Sequence, residues 1–88
     1  MKIKDGFMLR KVGGENLVVA VGEASDHFHG MIKLNDTAAF LWKKMEDGAD
    51  SKEALVKALT AEYDVTEDRA GKGVDSFLHT LEENQILE

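Results

Sequence analysis

The sequence contains no cysteine, which excludes a disulfide framework, a thiolate metal site and a cysteine nucleophile. It also lacks a long apolar run, since no stretch approaches the roughly 18 residues that suggest a transmembrane helix. The first residues, Met1-Lys2-Ile3-Lys4-Asp5, turn polar at once, which argues against a secretory signal peptide. We therefore expect a soluble, cytoplasmic protein.

Positive charge is scarce as well. The chain has 11 Lys and Arg against 17 Asp and Glu, a net charge of −6. Nucleic acids and anionic membranes both recruit Lys and Arg to neutralise phosphate. The net negative charge therefore argues against nucleic acids and anionic membranes as partners.

The usual signatures of catalysis are missing too. The sequence has no phosphate-binding glycine loop, no catalytic triad set and no zinc-ligand spacing. We expect no catalytic residues, no cofactor and no metal; a small enzyme is a third class of function, for which the sequence offers no site. The 88 residues fit one domain, 1–88, with a single modest core.

The first third of the chain predicts three strands, at about 7–12, 17–22 and 30–34. Gly13-Gly14 is a turn signal between the first two, because glycine accepts positive φ at little cost. The run from Leu17 to Val21 is apolar and rich in β-branched residues, which favours a central strand. A polar loop from Glu23 to Gly30 is expected before the third strand.

The remainder predicts three helices, at about 36–47, 51–62 and 67–84. Asn35 or Asp36 can cap the first, Asp50 the second and Thr66 the third, by accepting a hydrogen bond from a free backbone N–H. Gly48 suits the left-handed position that ends the first helix. The fold class is therefore α+β, with an N-terminal three-stranded antiparallel sheet followed by a three-helix bundle, resembling a winged helix-turn-helix.

The third helix is acidic where a DNA-reading helix would be basic. Two basic residues against four acidic ones give it a net charge of −2; they are Arg69 and Lys72 against Asp68, Asp75, Glu82 and Glu83. A winged helix DNA-binding transcriptional regulator, the alternative function, needs a basic helix and a positive face. Gly71 and Gly73 each cost this helix roughly 1 kcal/mol relative to alanine. They indicate either a weak first turn or close approach by a partner.

Several motifs occur in one order along the helical part. They are Leu34-Asn35-Asp36-Thr37-Ala38 with Trp42, Ser51-Lys52-Glu53-Ala54-Leu55 with Leu59, Glu62-Tyr63-Asp64-Val65, and Asp75 with Phe77-Leu78, Leu81 and Leu87. This ordered set resembles the PqqD-like family, also called RiPP recognition elements, over roughly Phe7 to Leu87. The chain departs from the family at Val74-Asp75-Ser76, where Ser76 replaces an apolar residue.

The resemblance implies a function. Family members bind the leader segment of a ribosomally made precursor peptide, which adds as a strand to the open edge of the third strand and lies against the third helix. The enzyme that modifies the peptide is commonly a radical S-adenosylmethionine enzyme. An exposed edge strand can bind an extended chain in this way on physical grounds as well. The same open edge permits a monomer or a weak homodimer.

The resemblance also assigns a peptide-binding site to eight residues. Four form the strand edge, and four come from the third helix, where burial in the core is the alternative for each. The residues are Met31, Ile32, Lys33, Leu34, Val74, Phe77, Leu78 and Leu81.

The remaining polar and aromatic candidates have plainer interpretations. His27 and His29 follow Asp26 in a polar loop, a pattern more often solvated than metal-binding. His79 is expected at the surface. Trp42 and Tyr63 are expected in the core, each with a polar atom that needs a partner.

Overall fold

The computed structural model describes residues 1–26 and 30–88. Three strands precede three helices: β1 (Phe7–Val12), β2 (Glu15–Ala20), β3 (Met31–Leu34), α1 (Asp36–Glu46), α2 (Lys52–Glu62) and α3 (Glu67–Glu83). The strands form one antiparallel sheet in the order β1-β2-β3. The predicted α+β class is confirmed, with β3 at one edge of the sheet.

The second strand lies two residues earlier than the expected 17–22. Gly13 and Gly14 both have positive φ, at 57° and 83°, so they form a tight turn. Pairing therefore starts at once, with Val12 opposite Glu15. After Ala20 the Val21 N–H donates to the Gly6 carbonyl at 2.7 Å, and the chain leaves the sheet.

The loop expected at 23–30 holds some regular structure. A short 3-10 helix occupies Gly22–Asp26. Beside it Gly6 has φ +94°, and a methyl group there would lie 2.7 Å from the Ala24 Cβ. The region around His27 and His29 lies outside the described residues.

Side-chain caps begin each of the three helices. Asn35 accepts from the Ala38 N–H, Ser51 from the Ala54 N–H and Thr66 from the Arg69 N–H. The expectation that Asp50 caps α2 is wrong, because the chain enters the helix one residue later. Gly48, with φ +114°, lies just beyond the end of α1 as expected.

One face of the sheet and one stripe of each helix form the core. Leu9, Val18 and Ile32 are paired across the three strands and therefore share this face. The fully buried large side chains are Trp42, Leu41, Leu55, Leu81, Ile86, Val18 and Val74. In α3 the buried residues are Ala70, Val74, Phe77 and Leu81, at the spacing of one helical stripe.

The two ends of the chain pair with each other, which the sequence patterns did not reveal. Ile3 bridges Leu87, and the Lys4 N–H donates to the Ile86 carbonyl at 2.7 Å. Gln85 adopts φ 58°, which reverses the chain after α3. The reversal places Ile86 in the core, with no exposed surface.

The two predicted core aromatics differ. Trp42 is fully buried, but its indole Nε1–H has no hydrogen-bond partner within the described structure. Tyr63 was expected in the core, and this is wrong, because it is 37% exposed. Its ring meets the edge of Phe40, with ring centroids 5.4 Å apart.

Gly71→Ala and Gly73→Ala should each raise the free energy of unfolding by about 0.5–1 kcal/mol. Both glycines lie inside α3, and a methyl group on either would meet nothing within 4 Å. Urea unfolding followed by the fluorescence of Trp42, the one tryptophan, measures the change. Gly6→Ala is the control and should be destabilising. A loss of stability in Gly71→Ala would contradict the helical structure of this segment.

Candidate functional site

A groove of about 220 Å³ opens between β3 and α3. One side is formed where β3 runs into α1, and its lining residues there are Lys33, Leu34, Asn35, Thr37, Ala38 and Leu41. Leu34 and Leu41 are buried, at 5% and 1% exposed, so they form an apolar floor. The groove therefore lies directly beside the edge strand.

The other side of the groove is a stripe of α3. Its residues are Gly73, Ser76, Phe77 and Thr80, at the i, i+3, i+4, i+7 spacing of one helical face. Phe77 is only 4% exposed and adds to the floor. The other three residues are uncharged and have a short side chain or none, so this wall of the groove is shallow and neutral.

The acidic residues of α3 do not line the groove. Asp75 pairs instead with Lys52 of α2 at 3.0 Å, and Asp68 lies 3.6 Å from Lys72. Of the described residues that line the groove, Lys33 alone is charged, and its Nζ is 3.1 Å from Glu15. The groove is therefore neutral to weakly basic, in a chain with a net charge of −6.

The four predicted residues of the strand edge all belong to β3. Lys33 and Leu34 line the groove. Met31 is 63% exposed and lies on the sheet face opposite the core, whereas Ile32 is half-buried and packs against the core. Their contact with a peptide remains a prediction.

The four predicted residues of the third helix differ in whether they line the groove or lie in the core. Phe77 lines the groove. Val74 and Leu81 have no exposed surface, and Leu78 packs against the core from its edge. The side chains of α3 that the groove does expose, Ser76 and Thr80, were not among the predicted site residues. The feature of the sequence that could have identified them is the polar stripe of α3, which runs beside its apolar stripe.

Asn16 holds the strand end of the groove in place. It is a buried polar residue of β2, and its side-chain amide donates to the Asp36 carboxylate at 3.0 Å and to the Leu34 carbonyl at 3.4 Å. Leu34 ends β3 and Asp36 begins α1. One amide therefore ties the central strand to the junction that carries half of the groove lining.

Another sequence candidate, His79, is not part of the groove lining. His79 is exposed, as expected, and its Nε2 lies 2.5 Å from Glu83. Among the described residues no three histidine, cysteine or acidic side chains are grouped to hold a metal ion. In the same part of the chain, no helix combines the length and the apolarity that crossing a membrane requires.

One comparison with known proteins identifies the family, and another supports the fold. The family model PqqD, coenzyme PQQ synthesis protein D, matches residues 17–87. A comparison with the curated proteins gave no match.

Two solved structures are similar to the chain over most of its length. TbiB1 in complex with the TbiA(beta) leader peptide matches with a TM-score of 0.77 and 24% identity, over 100% of this chain and 95% of that one. Lasso peptide synthetase B1 complexed with the leader peptide matches with a TM-score of 0.70 and 20% identity, over 94% and 91%. At these identities the likeness establishes the fold.

Asn16→Asp should lower the free energy of unfolding by about 1–3 kcal/mol. The substitution keeps the shape of the side chain, but it removes the donor and places a second carboxylate beside Asp36. The double variant Asn16→Asp, Asp36→Asn restores a donor–acceptor pair and should recover part of the loss in urea unfolding. Additive losses in the double variant would show that the two side chains do not interact.

Proposed function

The chain belongs to the PqqD family, and from this premise we propose that it is a non-catalytic peptide chaperone. It binds the leader segment of a ribosomally made precursor peptide by strand addition at β3. It then presents the peptide to a modifying enzyme, of which a radical S-adenosylmethionine enzyme is the expected kind. The observation that carries the proposal is the groove between the open edge of β3 and α3.

The likeness to two leader-peptide complexes supports the same assignment. Both similar structures, TbiB1 and lasso peptide synthetase B1, are described with a leader peptide bound. Neither the family match nor these neighbours favour the DNA-binding alternative, and the acidic balance of the chain also argues against it. The proposed site in this chain consists of Met31, Ile32, Lys33, Leu34, Phe77 and Leu78, to which the groove adds Gly73, Ser76 and Thr80. The other two predicted residues, Val74 and Leu81, have no exposed surface and support the site from the core.

The charge of the two sheet edges favours β3 over β1. Strand β1 is also at an edge of the sheet, but it carries two consecutive basic residues, Arg10 and Lys11. Charged side chains discourage pairing with another strand. The one charge on β3, Lys33, already has Glu15 as its partner. Strand β3 is therefore the more receptive edge.

Backbone pairing alone is too weak to hold a peptide at this edge. Alternate residues of a strand face its free side, so the four residues of β3 offer about two N–H and two C=O groups. At roughly 0.5–1.5 kcal/mol each, these bonds total about 2–6 kcal/mol. A micromolar complex needs about 8 kcal/mol, and association itself costs several. Side chains that enter the groove must therefore supply the difference, at roughly 1.5–3 kcal/mol for each large apolar group.

Of two neighbouring proline substitutions in β3, only one should weaken peptide binding while leaving the fold intact. Consecutive N–H groups point to opposite sides of a strand, so Ile32→Pro and Lys33→Pro affect different partners. One substitution removes a bond between β2 and β3 and lowers the melting temperature. The other removes a free N–H of the edge, leaves the fold nearly unchanged and weakens peptide binding by about tenfold.

The measurement is an amide-shift titration with the leader segment of a candidate precursor peptide. Perturbations should concentrate on Met31–Leu34 and on α3. Thr60→Ala, on α2 and outside the groove lining, is the control and should bind as the wild type does. If the well-folded proline variant binds the peptide as tightly as the wild type, strand addition at β3 is wrong.

A further inference from the structure

The fold does not require glycine at position 73. This residue lies inside α3 without a positive φ, and a methyl group on it would meet nothing within 4 Å. Alanine would fit and would stabilise the helix. Neither its backbone conformation nor packing among the residues that the structure describes explains the missing side chain.

Gly71 resembles Gly73 in conformation and in the space around it, but it lies at a different place on the helix. It too is helical, and a methyl group on it would meet nothing within 4 Å. Only Gly73 lines the groove, however. Gly73 lies one turn before Phe77 on the same face, so a side chain there would project into the space beside that ring. The absence of a side chain leaves a notch in the wall of the groove.

The size of the groove limits what the notch can accept. Its volume is about 220 Å³, whereas a cavity of about 150 Å³ can hold a benzene molecule. The space therefore suits one aromatic ring or one branched aliphatic group. Gly73 provides one such notch, and a second large group would have to lie outside it.

The chemistry of the lining agrees with an apolar occupant. The floor of Phe77, Leu41 and Leu34 is buried and apolar. The more accessible Ser76 can exchange hydrogen bonds with a polar peptide backbone. Thr80, whose hydroxyl already donates to the Ser76 carbonyl at 3.1 Å, can accept one. With Lys33 as the charged member of the described lining, nothing in the groove repels an acidic residue next to the apolar one.

We infer that Gly73 determines the peptide specificity of this chain: its notch takes one bulky apolar side chain of an extended peptide whose neighbouring residues are short, neutral or acidic. The inference rests on the proposed function, since it concerns the same groove. It adds the class of side chain that is recognised and the residue that selects it.

The test compares Gly73→Leu with its matched control, Gly71→Leu. Both substitutions put the same good helix-forming residue into α3, so both should raise the melting temperature. A displayed library of short random peptides is panned on the wild type, and the selected peptides are then titrated against all three proteins. Their dissociation constants and amide shifts are measured.

The wild type should select peptides with one leucine-sized or aromatic residue among short neighbours. Gly71→Leu should bind these peptides as the wild type does, whereas Gly73→Leu should bind them about tenfold or more weakly despite its greater stability. A purely structural role of Gly73 predicts no such separation between stability and affinity.

Four outcomes would overturn the inference, and they are distinguishable. If Gly73→Leu binds the selected peptides as tightly as the wild type, or if these peptides share no bulky apolar residue, the inference fails while the proposed function stands. If the selected peptides perturb amides away from β3 and α3, the proposed function fails with it. If no peptide is enriched on the wild type, both fail.

Discussion

The rotation of α3 about its own axis is the constraint on which the groove depends. Ala70, Val74, Phe77 and Leu81 form the buried stripe of this helix, and a helix that buries one stripe has no freedom to turn the others. The adjacent stripe, with Gly73, Ser76 and Thr80, must then face the edge of the sheet. The core therefore determines which residues a peptide at β3 would meet.

The same rotation separates the charges of α3 from the groove. Asp75 is directed to α2, where it meets Lys52, and Asp68 is paired along the helix surface with Lys72. The acidic character of α3, the most evident feature of its sequence, therefore belongs to the outer surface. It argues against a DNA-binding helix, but it does not describe the wall that a peptide would contact.

Local signals in the sequence predicted the order and type of the elements well. The glycine pair at 13–14, the caps Asn35 and Thr66, and Gly48 all act locally, through preferences of the backbone or of neighbouring N–H groups. The local errors are small: β2 lies two residues earlier than expected, and Ser51 rather than Asp50 caps α2. The larger omissions are contacts between distant segments. The pairing of Ile3 with Leu87 and the joint between Asn16 and Asp36 have no periodic signature. Tyr63 lies beside Phe40 at the surface because its turn passes outside the core, which its residue type could not indicate.

The site was predicted less completely than the fold, for a related reason. From the sequence, each apolar residue of α3 could lie either in the core or in the groove. Burial assigns Val74 and Leu81 to the core. The groove wall instead uses the least conspicuous residues of the helix, two of them with hydroxyl groups and one with no side chain. A binding surface that must admit side chains from another chain has to leave volume unfilled, so part of its signal in the sequence is a missing side chain. Gly73 is such a position, because no contact among the described residues compensates its cost to the helix and an open groove lies beside it.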